Sequence, residues 1–151
     1  MPMPTTYGLS PRKNSPMSYA YFDHDADIGI TGRGETLEAA FVSAAEAMFA
    51  IMVNLQAVKP EQTVDITFEE RDIEFAFVTW LNLLLAEARE RALIFSRFTL
   101  NHDGDTWQGQ AQGSPWHDDL EKGVEVKGAT LTMLSVKQIN NQWEASCIVD
   151  V

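Results

Sequence analysis

Asp23, Asp25 and Asp27 recur at every second residue of Tyr21-Phe22-Asp23-His24-Asp25-Ala26-Asp27-Ile28-Gly29-Ile30, with His24 beside the first of them. Like charges this close repel, so such a cluster calls for a cation, or for one carboxyl that keeps its proton. Asp150, at the other end of the sequence, is one more acid of the same kind. Carboxylates without thiols suit a hard cation such as calcium, magnesium or manganese. A single histidine adds little toward a softer ion, and one in this setting more often packs or hydrogen-bonds within a turn. The structural alternative is a solvated acidic edge that discourages strand pairing.

Other chemistries find little support. There is no Gly-x-Ser-x-Gly elbow, no Gly-x-x-x-x-Gly-Lys phosphate loop and no His-Glu-x-x-His helix. Gly32 and Gly34 precede a helical pattern in a weak echo of an anion cradle, but the neighbouring acids oppose a phosphate unless a metal bridges it. Cys147 is the single cysteine, so no internal disulfide forms, and its alternating apolar surroundings mark a buried small hydrophobe. His102, Asp103 and Asp105 surround Gly104, but no bidentate Glu follows at EF-hand spacing, and turn chemistry explains them better. Twenty-two acids against 11 bases give a formal net charge of -11. That balance argues against direct binding of nucleic-acid phosphates and favours a basic protein partner or a bound cation.

The elements that must position these acids follow from periodicity. Residues 1–18 hold four prolines and no apolar run, and read as a disordered extension before one domain at 19–151. No secretory h-region and no membrane-length segment is visible, so a cytoplasmic protein is expected. Strand pieces are expected at Ala20–Phe22 and Ile28–Thr31, with the acids between or within them. Thr36 reads as the N-cap of a helix whose apolar face runs from Leu37 to Met52. Thr63–Phe68 alternates as a strand. A second helix, from about Ile73 to Arg91, is apolar nearly all round and is expected at the centre, with Asn82 as a hydrogen-bonded amide and Glu87, Arg89, Glu90 and Arg91 as a solvated end. The remainder reads as antiparallel strands: Leu93–Leu100, a hairpin through Asp103-Gly104, a polar loop at Gly113–Asp119, a stretch at Val124–Lys137, and a hairpin at Asn140-Asn141 into a last strand that puts Cys147 and Val149 on one face and Asp150 on the other.

Several of these blocks, in this order, resemble the archease family: Asp23 to Ile30, Gly34 to Phe41, Ala44 to Phe49, Trp80 to Leu85, Glu125 to Thr130 and Ile148 to Val151. The resemblance covers nearly everything after residue 18. It implies an α+β domain with two main helices packed on a mixed, largely antiparallel sheet. It further implies a protein cofactor, not a stand-alone enzyme, that promotes guanylylation and multiple turnover of a GTP-dependent RNA ligase. That ligase joins RNA 2′,3′-cyclic phosphate or 3′-phosphate ends to 5′-hydroxyls in tRNA splicing or RNA repair. RNA would be met only through the ligase, and no membrane is involved. The family's divalent-cation site maps onto Asp27, Asp150 and the backbone or terminal carboxylate of Val151, with Asp23, Asp25 and His24 as weaker candidates. Asp25 stands where many members carry a hydroxyl, while Leu83 and Ser114 stand where a Glu is common. The competing readings are a small metal-dependent phosphohydrolase using the same carboxylates and a chaperone-like module for an RNA-modifying enzyme.

Overall fold

The computed structural model describes residues 19–24 and 26–151. The extension expected at 1–18 and the candidate ligand Asp25 lie outside the described residues. In chain order the elements are β1 (Tyr19–His24), β2 (Asp27–Gly34), α1 (Leu37–Met52), a 3-10 turn (Leu55–Ala57), β3 (Gln62–Glu69), α2 (Ile73–Arg91), β4 (Leu93–Asp103), β5 (Thr106–Pro115), β6 (Gly128–Ala129), β7 (Ser135–Ile139) and β8 (Gln142–Asp150). The α+β class with two helices is borne out. The strands form two sheets, in the orders β1-β2-β8-β6 and β3-β5-β4, with β7 also pairing β8. Every described pairing is antiparallel.

Helix α1 starts where Thr36 caps it: the Thr36 hydroxyl accepts from the Ala39 N–H at 3.0 Å, satisfying one of the donors a helix start leaves orphaned. It touches strands of both sheets and is buried on nearly every side, Ala40, Ala44, Ala45 and Ala47 included. Central burial was expected of α2, but small side chains let α1 take the closer place. Gly32 on β2 completes the fit, because a Cβ there would run into the α1 main chain at Ala40 and Ala44. Helix α2, capped by Asp72 through the Glu74 and Phe75 N–H groups, packs one face and leaves Phe75 exposed and Leu83 half-buried.

The core is aromatic where the layers meet. Trp80 is fully buried and its indole N–H donates to the Phe41 carbonyl at 3.1 Å. Trp107 stacks on Phe41 at 5.3 Å, on Phe68 at 5.8 Å and on His102 at 4.1 Å. His102 Nδ1 lies 2.8 Å from Glu38 Oε2, which ties α1 to β4.

The turns follow their residues. Gly104 takes φ 60 in the β4–β5 turn, and Asn140 and Asn141 take φ 51 and 66 in the β7–β8 turn, where a two-residue hairpin needs left-handed backbone. Two expectations are corrected. Strand β5 runs on to Pro115 with Gly113 and Ser114 buried, so the loop begins only at Trp116. The stretch 124–137 is not one strand: only Gly128–Ala129 and Ser135–Ile139 pair with β8 in the ladder, and residues 130–134 bulge between them, with Thr130 and Thr132 still bonded to Ile148.

Cys147 is fully buried on the core face of β8. Burial pushes its thiol from about 9 up to about 12, offset slightly by a Thr130 backbone contact. The folded protein should therefore resist a thiol reagent at pH 8 and react fully in denaturant. The native state keeps a proton that the unfolded chain releases above about pH 9. The stability this contributes is complete below that pH and is lost as pH rises toward 12. Denaturant midpoints measured across that window for the wild type and Cys147→Ala check this, since only the wild type should carry the extra decline.

Candidate functional site

Strand β2 begins at Asp27 and β8 ends at Asp150, and the two strands pair antiparallel in a register that includes Ile28↔Val149 and Ile30↔Cys147. One step further, the same register sets Asp27 opposite Asp150. Opposed residues of an antiparallel pair point to the same side. Ile28, Ile30, Cys147 and Val149 fill the core, so Asp27 and Asp150 share the outer face, the first half-buried and the second exposed. Further along that face Thr31 and Ser146 hydroxyls meet at 2.8 Å and Arg33 pairs with Glu144 at 2.9 Å. Between these polar pairs lies an apolar step. The Phe22 ring occupies the space a Cβ on Gly29 would need, and Ile148, opposite Gly29, is only 2% exposed.

The other candidates separate. The alternation of the three aspartates breaks because β1 and β2 form a hairpin, with His24↔Asp27 as its last pair. Asp23 pairs with Ile28 and so lies on the α1 side of the sheet. Tyr21, two residues earlier on that side, donates its hydroxyl to the Ala47 carbonyl of α1 at 2.9 Å. Asp23 and Asp27 are thus on opposite faces. Val151, next to Asp150, is half-buried and packs against the core. Among the described residues no three His, Cys, Asp or Glu side chains converge. What the register sets opposite each other is one pair of aspartates, Asp27 and Asp150. The described ion pairs join Arg33–Glu144, Arg71–Asp105, Arg91–Glu87 and His102–Glu38, and none uses Asp23, Asp27 or Asp150.

The end of β8 is held from its other side by α2. The Lys127 N–H donates to the Asp150 carbonyl at 2.8 Å, and Gly128 pairs with Asp150. Asn82 matches both main-chain groups of Ala129, donating to its carbonyl at 3.1 Å and accepting from its N–H at 2.9 Å. Arg89 Nη2 donates to the carbonyls of Val126 at 2.7 Å and Lys127 at 2.6 Å. The hydrogen-bonded role expected of Asn82 is borne out. Arg89 is exposed, as expected of a solvated helix end, but its guanidinium also holds the Val126 and Lys127 carbonyls, a role not expected from the sequence. The available signal was its spacing, seven residues after Asn82 and so on the same helix stripe. Ser114 is buried, with its hydroxyl on the Pro115 carbonyl, so the departure there offers a partner no side chain.

A cleft of about 410 Å³ lies elsewhere, lined by Phe49, Met52, Leu85, Leu93 and Trp116, with the Lys122 ammonium 5.1 Å from the Trp116 ring. Its lining includes neither Asp27 nor Asp150. Among the described residues no helix is long and apolar enough to cross a membrane.

Two antiparallel sheets, two helices and two aspartates set opposite each other where the first hairpin meets the last strand define a small α+β protein. The archease protein family model matches residues 19–151, and the chain belongs to that family. The protein archease of Pyrobaculum islandicum is 33% identical over 144 residues, covering 90% of this chain and 97% of that one. That of Sulfurisphaera tokodaii is 29% identical, covering 88% and 98%. The solution structure of Methanobacterium thermoautotrophicum protein 1598 superposes with a TM-score of 0.79 at 28% identity over 88% of this chain and 98% of that one. A crystal structure from Thermotoga maritima, described as an archease and possible chaperone, shares the fold with a TM-score of 0.62 at 16% identity over 86% and 94%.

Proposed function

We propose that this chain is a metal-binding protein cofactor that activates a GTP-dependent RNA ligase, promoting its guanylylation and multiple turnover in tRNA splicing or RNA repair. In this reading it is not itself an enzyme, and it works in the cytoplasm. The observation that carries the reading is the register that sets Asp27 opposite Asp150 on the outer face of the sheet. Membership of the archease family supports it.

The donor set suits a hard cation. Both side chains are carboxylates, and neither belongs to a described ion pair. Asp27, Asp150 and a main-chain or carboxylate oxygen of Val151 would hold calcium, magnesium or manganese. When bound, such an ion supplies concentrated positive charge on an otherwise acidic surface. This chain's own residues do the positioning. The β2–β8 ladder fixes the spacing of the two acids, and Lys127 with Asn82 and Arg89 behind it fixes the end of β8. RNA would be engaged through the ligase, since a net charge of -11 repels phosphates.

The test is to add the chain to its cognate ligase with labelled GTP and a divalent cation. More ligase–GMP adduct and repeated turnover are expected. Unchanged guanylylation, with phosphate-ester hydrolysis by the chain alone, would sink the reading in favour of a phosphohydrolase. The Thermotoga maritima relative's description as a possible chaperone favours a second reading, a folding aid for an RNA-modifying enzyme. Protection of the ligase from aggregation without any change in guanylylation would mark that outcome.

A further inference from the structure

The large apolar side chains most exposed among the described residues are Leu131 at 59%, Met133 at 58%, Phe75 at 49% and Ile139 at 41%. Single exposed apolar residues are ordinary on a protein surface. These four are not scattered. Leu131 and Met133 lie in the excursion between β6 and β7, Ile139 ends β7, and Phe75 belongs to the helix that lies along the same edge.

The placement of Phe75 follows from spacing. Phe75, Asn82 and Arg89 are seven residues apart, so they form one stripe of α2. Arg89 reaches Val126 and Lys127, and Asn82 reaches Ala129. The stripe therefore faces the edge strand, with the helix running opposite in direction to the 126–129 segment. Phe75 comes two turns before Asn82, about 10 Å along the axis. The helix also touches β7, and Phe75 is 49% exposed.

The excursion is built, not loose. Thr130 donates its N–H and its hydroxyl to the Ile148 carbonyl at 3.0 and 2.8 Å, and the Ile148 N–H returns to Thr132 at 3.1 Å. The Thr132 N–H binds the Thr130 hydroxyl at 3.2 Å, and the Leu134 N–H binds the Leu131 carbonyl at 3.3 Å. The polar groups are spent on holding the loop and Leu134 packs against the core, while Leu131 and Met133 are exposed. Met133 has φ 52, a left-handed conformation that an L-residue adopts only at a cost. The loop bulges from the ladder two residues after Gly128, which pairs with Asp150. The β6–β7 edge thus carries exposed apolar side chains beside the strand that ends at Asp150.

We propose that Leu131, Met133 and Phe75 form the docking surface for a protein partner that presents an apolar patch bordered by lysine and arginine. The apolar side chains supply anchors, and the acids with the net charge of -11 select a basic rim. A nucleic acid offers the opposite charge pattern. The proposal rests on the reading that the chain acts on the RNA ligase, because that ligase is the partner tested.

The experiment measures affinity of the full chain for the GTP-dependent RNA ligase, comparing the wild type with the double variant Leu131→Ser, Met133→Ser and with Phe75→Ser. Melting temperature and divalent-cation titration accompany each variant. At least tenfold weaker ligase binding is expected for both variants, with melting and cation affinity unchanged. Wild-type affinity in both variants overturns the surface alone and leaves the activator reading standing. No ligase binding by the wild type overturns both. A wild type that self-associates beside monomeric variants makes a second copy the occupant, and direct RNA binding lost in the same variants makes the surface a nucleic-acid site. Either result overturns the proposal.

Discussion

Trp80→Ala is expected to lower the unfolding free energy by about 3–5 kcal/mol, the range for deleting a large buried aromatic. Trp80 is fully buried on α2, and its indole N–H crosses to the Phe41 carbonyl of α1 at 3.1 Å. Gly109 on β5 has no side chain where the indole passes: a Cβ there would come within 3.0 Å of the ring. One side chain therefore joins both helices to the three-stranded sheet. Its loss leaves a cavity bounded by helix and sheet backbone, which cannot collapse without moving an element. A fall in melting temperature of about 6–20 °C should result. Phe75→Ala, an exposed change on the same helix, should shift stability by no more than about 0.5 kcal/mol. A normal melting temperature for Trp80→Ala would show that the ring carries no such burial.

Much of this fold is written in local chemistry. Thr36, Asp72 and the asparagine pair at 140 and 141 each act within three residues of themselves, so cap and turn chemistry reveals them. The alternation from Thr63 to Phe68 is equally plain, because one face is core and the other solvent. Relative burial of the helices is less legible. Apolar density points to α2 as the central element, yet close approach depends on what is missing from the opposing strand, and Gly32 reads only as a loop glycine until it stands against Ala40 and Ala44. The break at 130–134 is hidden for a related reason. Thr130 and Thr132 are good strand residues, and only the interrupted pairing with β8 between Ala129 and Ser135 shows that the chain bulges there.

The acid cluster was half legible. Crowded carboxylates announce themselves in the sequence, but which of them share a face depends on where the hairpin turns. The alternation treats Asp23 and Asp27 as equivalents, whereas the His24↔Asp27 pairing places a turn between them and turns Asp23 toward α1. Asp150 is distant in sequence, and only the long-range β2–β8 register makes it a neighbour of Asp27. The Arg89 contacts are long-range in the same way, since a helix-end arginine looks alike whether it meets water or the carbonyls of Val126 and Lys127.

Asp27→Ala and Asp150→Ala are each expected to weaken divalent-cation binding at least tenfold and to abolish ligase stimulation, while Asp23→Ala does neither. The contrast comes from the sheet: Asp27 and Asp150 stand opposite each other on the outer face, and Asp23 lies on the other side. None of the three changes should loosen the fold. The contact that holds the end of β8 is the Lys127 N–H on the Asp150 carbonyl, a main-chain group that alanine keeps. Removing one of two facing carboxylates also relieves repulsion, so the cation-free variants should melt at or above the wild-type temperature. Added cation should raise the melting temperature of the wild type and of Asp23→Ala, because a ligand that binds only the folded state stabilises it. It should leave the other two unmoved. Calorimetric titration with calcium, magnesium and manganese, paired with the guanylylation assay, reads all of this in one series. If Asp23→Ala loses the cation and Asp27→Ala keeps it, the site lies on the α1 side of the sheet and the pairing of Asp27 with Asp150 has no part in it.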